Sequence, residues 1–210
     1  MADLHVLVMA KEPVAGQVKT RLCPPCTYEQ AAEIAAAALA DTLDAVSACG
    51  ATRRILALDG RPGPWLPPGF EVVAQEGRAF GERLAHAWSR AGGPGLQIGM
   101  DTPQVTGAEL DDALGALLVP ATDAVLGHAL DGGWWAIGLR REDARVFDGV
   151  PMSTATTGGA QLARLQALGL ATTLLCPQRD LDTFADGLAI AAQAPHTRTA
   201  SAVTGSVIAS

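Results

Sequence analysis

Short apolar runs alternate with amphipathic segments along most of this chain, and this alternation limits its fold more than any other feature of the sequence. Residues 4–10 (LHVLVMA) form an apolar run of the kind found in parallel strands that are buried on both faces. Thr27 then begins a helix, and Gln30 stands three residues later as a capping-box partner. The same reasoning predicts further strands at 54–58, 70–74, 96–100, 123–127, 134–139 and 171–175, and further helices at 80–88, 106–117, 156–168 and 182–192.

Strands that alternate with helices predict an α/β fold in which a parallel sheet is covered by helices on both faces. Residues 1–194 contain no internal repeat or linker, so we expect them to form a single domain. The last segment, 195–210, is rich in Ala, Thr and Ser and has no strong period. We expect a loosely ordered C-terminal tail there.

The charge of the chain narrows its possible partners. The sequence has 210 residues and a formal net charge of −7 at pH 7. A negative field of this kind disfavours non-specific binding to nucleic acid or to an anionic membrane surface. No apolar stretch reaches transmembrane length, and no signal-peptide pattern is present. We therefore expect a cytoplasmic protein.

The chain has four cysteines, and two of them, Cys23 and Cys26, form a C-x-x-C pair that encloses two prolines. A structural zinc site needs a second pair or histidines at metal spacing, and none follows. A thioredoxin-like redox pair is an alternative, because the motif lies early in a βαβ pattern. The simpler interpretation is two free thiols in a loop.

Ligands of open α/β sheets bind beyond the carboxyl ends of the strands, and this rule selects three segments of the sequence. The first, residues 10–22 (AKEPVAGQVKTRL), brings Lys11, Lys19, Arg21 and Gly16 into a loop after the first strand. Phosphate binding uses cationic donors and backbone N–H groups held in tight turns. The spacing matches neither a P-loop nor G-x-G-x-x-G, so a solvated basic loop is the competing interpretation.

The second segment places Asp101 directly after the predicted strand at 96–100. A carboxylate there suits Mg²⁺ or Mn²⁺, and a turn that bonds its own backbone is the alternative. The third segment, residues 127–135 (GHALDGGWW), carries Asp131, two glycines and two tryptophans. A hairpin turn with both tryptophans in the core would explain it equally well. His128 is more often structural than catalytic, and Arg83 is more often in a surface ion pair than at a phosphate.

Together these motifs resemble a bacterial family of glycosyltransferase-A-like proteins, labelled arsenosugar-biosynthesis or radical-SAM-associated glycosyltransferases. The resemblance runs in order from about residue 4 to residue 190. It rests on A-K-x-P-x-x-G-x-V-K-T-R-L at 10–22, G-E-R-L at 81–84, G-x-D-x-P at 99–103, D-G-G-W-W-x-I-G-L at 131–139, S-T at 153–154 and D-x-D-T at 180–183. The first and fourth of these motifs are the most specific.

The resemblance implies a nucleotide-diphospho-sugar transferase fold, which is a three-layer α/β/α, Rossmann-like arrangement around a mixed, mostly parallel sheet. It implies Mg²⁺ or Mn²⁺ held by Asp101, and an acceptor or second metal position facing Asp131, which is our candidate catalytic base. The residues that it assigns to binding the nucleotide substrate and its acceptor are Ala10, Lys11, Gly16, Lys19, Arg21, Arg83, Gly132, Gly133, Trp134, Ser153 and Thr154.

The chain departs from the family pattern near the predicted acceptor and metal positions. Trp134 and Trp135 replace an expected tyrosine pair, which keeps an aromatic wall but removes the phenol groups. Met152 and His128 stand where tryptophan and proline are more common, and Gln104 replaces a second aspartate of the metal motif.

The sequence leaves three functions open. Glycosyl transfer would use a nucleotide-diphospho-sugar donor and an unknown small-molecule acceptor, and the cationic side chains would stabilise the leaving nucleoside diphosphate. Nucleotidyl transfer from a nucleoside triphosphate is the alternative, because K-T-R-L-x-P at 19–24 also resembles the start of phospholactate guanylyltransferases. That reaction would release pyrophosphate. The third is a nucleotide-binding or scaffold protein without activity. The oligomeric state is not given by the sequence.

Overall fold

A computed structural model describes residues 3–208, and its central feature is one seven-stranded sheet. The strands are β1 (His5–Lys11), β2 (Arg53–Asp59), β3 (Phe70–Ala74), β4 (Gly95–Gly99), β5 (Ala124–Ala129), β6 (Trp134–Leu139) and β7 (Thr172–Gln178). Their order across the sheet is β3-β2-β1-β4-β6-β5-β7. Neighbouring strands are parallel except at β6, which runs antiparallel to both β4 and β5.

Six α-helices lie within residues 3–208. They are α1 (Tyr28–Ala48), α2 (Phe80–Ala91), α3 (Gly107–Leu118), α4 (Thr157–Ala167), α5 (Phe184–Gln193) and α6 (Arg198–Ile208). The capping box predicted for Thr27 and Gln30 begins α1, because each side chain accepts a hydrogen bond from the other residue's backbone N–H.

Alternation along β1 shows why helices cover both faces of the sheet. Val6 and Val8 belong to a buried cluster that includes apolar residues of α1 and α3. Leu7 and Met9, on the opposite face, join a second cluster with Trp88 of α2 and residues of α4. Successive strand residues point to opposite faces, so both faces of the sheet are buried. The predicted fold class, a three-layer α/β/α arrangement around a mixed, mostly parallel sheet, is confirmed.

The strand directions bring several loops to one edge of the sheet. The carboxyl ends of the parallel strands β1, β4, β5 and β7 lie at this edge, and the antiparallel β6 begins there. The loops that follow β1, β4, β5 and β7 therefore meet, although they are far apart in sequence. This is the edge at which such sheets bind ligands.

The C-terminal segment differs from the loosely ordered tail that its sequence suggests. Residues 198–208 form α6, which packs against α1 and α5. Val203 of α6 is fully buried in a third cluster with Leu22, Ile34 and Leu181. Helix α6 is ordered by contacts that are distant in sequence, so its Ala/Thr/Ser composition does not reveal it.

A carboxylate of α1 holds the N-terminus of α6, and its removal should destabilise the protein. Asp41 Oδ2 accepts hydrogen bonds from the Thr199 backbone N–H (2.8 Å) and hydroxyl (2.7 Å), and Asp41 Oδ1 accepts one from the Arg198 N–H (3.1 Å). Because a buried cap is lost, we expect Asp41→Ala to lower the free energy of unfolding by about 2–3 kcal/mol in urea titrations. Asp44→Ala is the control, since Asp44 pairs with Arg198 on the surface and should contribute less than about 1 kcal/mol. Equal losses for the two variants would contradict the capping role.

A buried histidine on β1 should make the protein sensitive to acid. The His5 ring lies edge-on to Trp88 with 5.4 Å between ring centroids, and burial, with a smaller effect of the Arg53 guanidinium, lowers the pKa of His5 to about 4. An unfolded chain protonates this histidine near pH 6.5, so stability falls as the pH drops from about 6.5 towards 4. We expect the free energy of unfolding to be about 2 kcal/mol lower at pH 5 than at pH 7 through this group alone.

Urea titrations of His5→Gln at both pH values test this expectation. The difference between pH 5 and pH 7 should shrink by about 2 kcal/mol in that variant. His196→Gln, which changes an exposed histidine, should keep the wild-type difference. The same pH dependence in all three proteins would exclude His5 as its source.

Candidate functional site

Two adjoining cavities open at the carboxyl edge of the sheet. One has a volume of about 570 Å³ and the other of about 390 Å³. Both are lined by Met9, Arg21, Phe80, Gly99, Asp101 and Asp182. Because they share these walls, the cavities form two compartments of one cleft, with Asp101 at their junction.

The smaller cavity, here called the cationic compartment, collects basic side chains. Lys11 at the end of β1, Lys19 and Arg21 in the following loop, and Arg83 on α2 all line it. Arg83 Nη1 lies 3.7 Å from Asp59 Oδ2, a distance at which the pair is loose. Three carboxylates, those of Asp59, Asp101 and Asp182, also line it, so the four cationic side chains leave an excess of one positive charge. Phosphate oxygens would compete with these carboxylates for the cations.

The larger cavity, here called the aromatic compartment, has a different lining. Its carboxylates are those of Asp101, Asp131, Asp180 and Asp182, and Arg21 is the cationic side chain in its wall. Apolar and hydroxyl-bearing residues complete it, among them Leu84, Ile98, Trp134, Met152, Ser153, Thr154 and Thr157. An apolar wall with a few polar groups is typical of a small-molecule site.

The turn between β5 and β6 fixes Asp131 in the aromatic compartment. Asp131 Oδ1 accepts a hydrogen bond from the Gly133 N–H (2.8 Å), and the Gly132 carbonyl accepts one from the Gly158 N–H at the start of α4 (2.8 Å). Gly132 has φ 93°, and a Cβ there would overlap the backbone carbonyl of Ala155. The glycine therefore permits the close approach that places Asp131 beside the 153–157 loop.

The two tryptophans have different surroundings. Trp135 is buried and its Nε1 donates to the Cys176 carbonyl (3.1 Å), so it belongs to the core as the hairpin interpretation predicts. Trp134 is only partly buried, stacks on Phe147 at 6.5 Å between ring centroids, and lines the aromatic compartment. Trp135 also lines that compartment, so both tryptophans form part of its wall, and Trp134 is the more exposed of the two.

Lys19 and Asp101, which the sequence assigns to phosphate and metal, form an ion pair with each other. Lys19 Nζ lies 2.6 Å from Asp101 Oδ1 and 3.8 Å from Asp182 Oδ1, and it donates a hydrogen bond to the Leu181 carbonyl. The Leu181 N–H in turn donates to the Asp101 carbonyl (2.7 Å). Arg21 Nη1 lies 3.1 Å from Asp182 Oδ2. The loops after β1, β4 and β7 are joined by these contacts.

Asp180 is a site residue that the motif analysis left without a role. It lines the aromatic compartment beyond the carboxyl end of β7. Burial, together with the nearby carboxylates of Asp101 and Asp131, raises the pKa of Asp180 to about 8. The signal in the sequence was the D-x-D-T motif at 180–183, which forms part of the resemblance but came without a role for Asp180.

The carboxylates in the cleft are chemically suited to bind a divalent cation, but they are not grouped closely enough to do so in this structure. Within residues 3–208, no three His, Cys, Asp or Glu side chains are grouped to hold a metal ion. The oxygens of Asp101, Asp180 and Asp182 are the donors that Mg²⁺ and Mn²⁺ prefer. Burial and, to a smaller extent, the crowding of negative charge raise the pKa of Asp180, and a bound cation would relieve this crowding. The position beside Asp101 Oδ1 is taken by Lys19, so the residues fit a cation once that ammonium moves.

Most residues singled out from the sequence line one of the two compartments. Those in the cationic compartment are Ala10, Lys11, Lys19, Arg21, Arg83 and Asp101. Those in the aromatic compartment are Arg21, Asp101, Asp131, Gly133, Trp134, Ser153 and Thr154. Gly16 and Gly132 line neither; Gly16 lies in an exposed turn with φ 76° and Gly132 acts through backbone packing.

Cys23 and Cys26 are free thiols in the structure. The Cys23 thiol donates to the Thr27 carbonyl (3.3 Å), and Cys26 is buried. Burial, with a smaller contribution from Cys23, raises the pKa of the Cys26 thiol, which makes it a poorer nucleophile. Neither cysteine lines the two compartments.

The α/β fold is that of the nucleotide-diphospho-sugar transferase superfamily, as a solved structure that is 25% identical over 98% of this chain shows. Residues 31–154 match the family described as "Uncharacterized protein conserved in bacteria (DUF2064)", and the chain belongs to that family. No curated protein sequence matches the chain significantly. Within residues 3–208, each helix is too short or too polar to cross a membrane.

Solved structures agree with this assignment of the fold. A protein of Desulfovibrio desulfuricans G20, provisionally described as a nucleotide-diphospho-sugar transferase, is 25% identical with a TM-score of 0.87 over 98% of this chain and 95% of that one. UDP-glucose pyrophosphorylase of Acinetobacter baumanii is 13% identical, with a TM-score of 0.57 over 99% of both chains. The Rv0371c protein of Mycobacterium tuberculosis H37Rv, in complex with manganese, is 21% identical, with a TM-score of 0.51 over 90% and 97%. The last two show similarity of fold.

Proposed function

We propose that this protein is a metal-dependent glycosyltransferase that uses a nucleotide-diphospho-sugar donor and a small acceptor. The observation that carries the proposal is the division of one cleft into a cationic and an aromatic compartment that meet at Asp101. A donor with its diphosphate in the first would place the bond between sugar and phosphate near the junction. An acceptor would occupy the second compartment.

In the cationic compartment, Lys11, Lys19, Arg21 and Arg83 would hold the diphosphate. Negative charge grows on the leaving nucleoside diphosphate as the glycosidic bond breaks. Cationic side chains already in place stabilise that charge without reorganisation, which lowers the barrier to transfer. Asp101, with Asp180 and Asp182, would hold Mg²⁺ or Mn²⁺, which supplies Lewis-acid stabilisation of the same leaving group when bound.

In the aromatic compartment, Asp131 is the proposed general base. Its carboxylate is oriented by the Gly133 N–H and would accept the proton of an acceptor hydroxyl as that oxygen attacks the sugar. Trp134 would contact an apolar face of the acceptor, and the hydroxyls of Ser153 and Thr154 would orient its polar groups. Because the resembled family is labelled for arsenosugar biosynthesis, small molecules of that biosynthesis are acceptors to test.

Nucleotidyl transfer is the second candidate, and one observation favours it. The full-length similarity of fold to UDP-glucose pyrophosphorylase shows that this architecture serves such reactions elsewhere, and the cationic compartment would suit a triphosphate as well. Against it stands the aromatic compartment, where a phosphorylated second substrate would meet the carboxylates of Asp131 and Asp182. Negative charges repel each other, so these carboxylates would oppose the binding of an anion.

A thermal-shift screen separates the two candidates. The protein is melted with UDP, GDP, CDP, ADP and TDP and with the matching triphosphates, each with and without Mn²⁺. Ligands that bind the folded state raise the melting temperature by mass action. Glycosyl transfer predicts that one diphosphate stabilises the protein only with Mn²⁺, and that its nucleotide sugar then releases that diphosphate. Stabilisation by a triphosphate alone, with release of pyrophosphate, would favour nucleotidyl transfer.

A further inference from the structure

The Lys19 ammonium lies among oxygen atoms that resemble the ligands of a metal ion. It contacts a carboxylate oxygen of Asp101 at 2.6 Å and the backbone carbonyl of Leu181, and a carboxylate oxygen of Asp182 lies 3.8 Å away. The side chain of Lys19 is only 10% exposed. Carboxylates and a backbone carbonyl are the oxygen donors that hard divalent cations use. Lys19 therefore fills a cation position with a charge that belongs to the chain itself.

This arrangement and a metal bound at Asp101 Oδ1 exclude each other. A divalent cation within bonding distance of Asp101 Oδ1 would stand directly beside the ammonium, and like charges at such separations repel strongly in a partly buried site. Among residues 3–208 no set of three ligand side chains is already assembled for a metal.

The Lys19 ammonium also has alternative partners within reach, in the cationic compartment. The same side chain lines the cationic compartment, together with Lys11 and Arg83, and its long, flexible stem lets the ammonium change partners. Its backbone is left-handed, with φ 47° and ψ 33°, a conformation that a non-glycine residue keeps where surrounding contacts hold it. Phosphates in that compartment would compete with Asp101 for the ammonium.

We propose that Lys19 is the resident counter-cation of the carboxylate cluster and competes with the divalent metal for Asp101, so that metal enters this site when phosphates draw Lys19 into the cationic compartment. This inference rests on the proposed function, because it concerns the same metal and the same diphosphate. It adds an order of binding. The phosphates bind first or together with the metal, and the metal binds only weakly when phosphates are absent.

The test measures Mn²⁺ binding without nucleotide, by isothermal titration calorimetry and by the electron paramagnetic resonance signal of free Mn²⁺. Lys19→Met keeps most of the stem and removes the charge, so it should bind Mn²⁺ at least about tenfold more tightly than the wild type. Arg145→Gln is the matched control, because it removes one positive charge that is paired with Asp143, a carboxylate outside both compartments. That variant should change Mn²⁺ affinity less than about threefold. Adding Asp101→Asn to Lys19→Met should abolish the gain.

Each outcome bears on one proposal. Tighter Mn²⁺ binding by Lys19→Met alone supports the competition. Equal Mn²⁺ affinity in the wild type and Lys19→Met overturns it while leaving metal-dependent transfer intact, and absence of Mn²⁺ binding in every protein, even with the stabilising diphosphate, overturns both. Circular dichroism checks that each variant is folded. If Lys19→Met does not fold, Lys19→Gln takes its place with the same expected gain and the same overturning result.

Discussion

Replacing Asp101 with asparagine should reduce Mn²⁺-dependent transfer at least about 100-fold, which is the largest catalytic effect expected for a single substitution in this protein. Asp101 stands at the junction of the two compartments and contacts Lys19 at 2.6 Å. Asparagine keeps the size of the side chain but removes the charge that would hold the metal. Metal binding is therefore lost, while the fold should remain.

The measurement is release of nucleoside diphosphate from the nucleotide sugar identified by the thermal-shift screen. The same variant should also lose the Mn²⁺-dependent part of the shift given by that diphosphate. Asp112→Asn, an exposed position on α3, removes the same charge away from the cleft and should keep wild-type rates. Mn²⁺-dependent rates and shifts that survive Asp101→Asn would exclude Asp101 as the metal-binding residue.

Gly132→Ala should lower the free energy of unfolding by about 3 kcal/mol or more and disable the aromatic compartment. Two costs combine at this position. The backbone has φ 93°, which alanine adopts unwillingly, and the added methyl group would overlap the backbone carbonyl of Ala155. The overlapped atoms of Ala155 belong to the backbone and cannot rotate away. The turn that carries Asp131 must therefore separate from the 153–157 loop.

Gly149→Ala is the matched control for this substitution. Gly149 also has a positive φ, 73°, but a Cβ there meets no atom within 4 Å. Its change should therefore cost about 1 kcal/mol through backbone conformation alone. Urea titrations give both values, and the difference between them measures the steric overlap. If the two variants lose the same stability, the close approach at Gly132 does not hold the turn.

The sheet and five of the helices could be predicted because their signals are local. The apolar run at 4–10, and the apolar runs that later alternate with amphipathic segments, predict strands whose ends lie within about two residues of those of β1, β2, β3, β4, β5 and β6. The start of α1 follows from Thr27 and Gln30 alone. Helix α6 lacked such a signal, because Asp41 of α1 holds its first turn and Val203 is buried against Leu22 and Leu181. None of these contacts is visible in the segment itself.

The site was predictable as a set of residues but not as a set of contacts. The rule that ligands bind at the carboxyl edge selected Lys19, Asp101 and Asp131, and all three line the cleft. It could not show that Lys19 and Asp101 pair with each other, since their approach depends on how two loops pack. Nor could it show the environment of Asp180, whose raised pKa depends on burial and on carboxylates from two other loops.

The third buried cluster gives the last helix an influence on the cleft that its position in the chain does not suggest. Leu22 ends the turn that carries Arg21, Leu181 stands between Asp180 and Asp182, and both pack with Val203 of α6. The loop that carries Arg21 and the loop that carries Asp180 and Asp182 thus pack on the same buried cluster. Loosening α6 would change the spacing of opposite charges above it, so substitutions on a surface remote from any ligand could weaken affinity while the sheet stays intact.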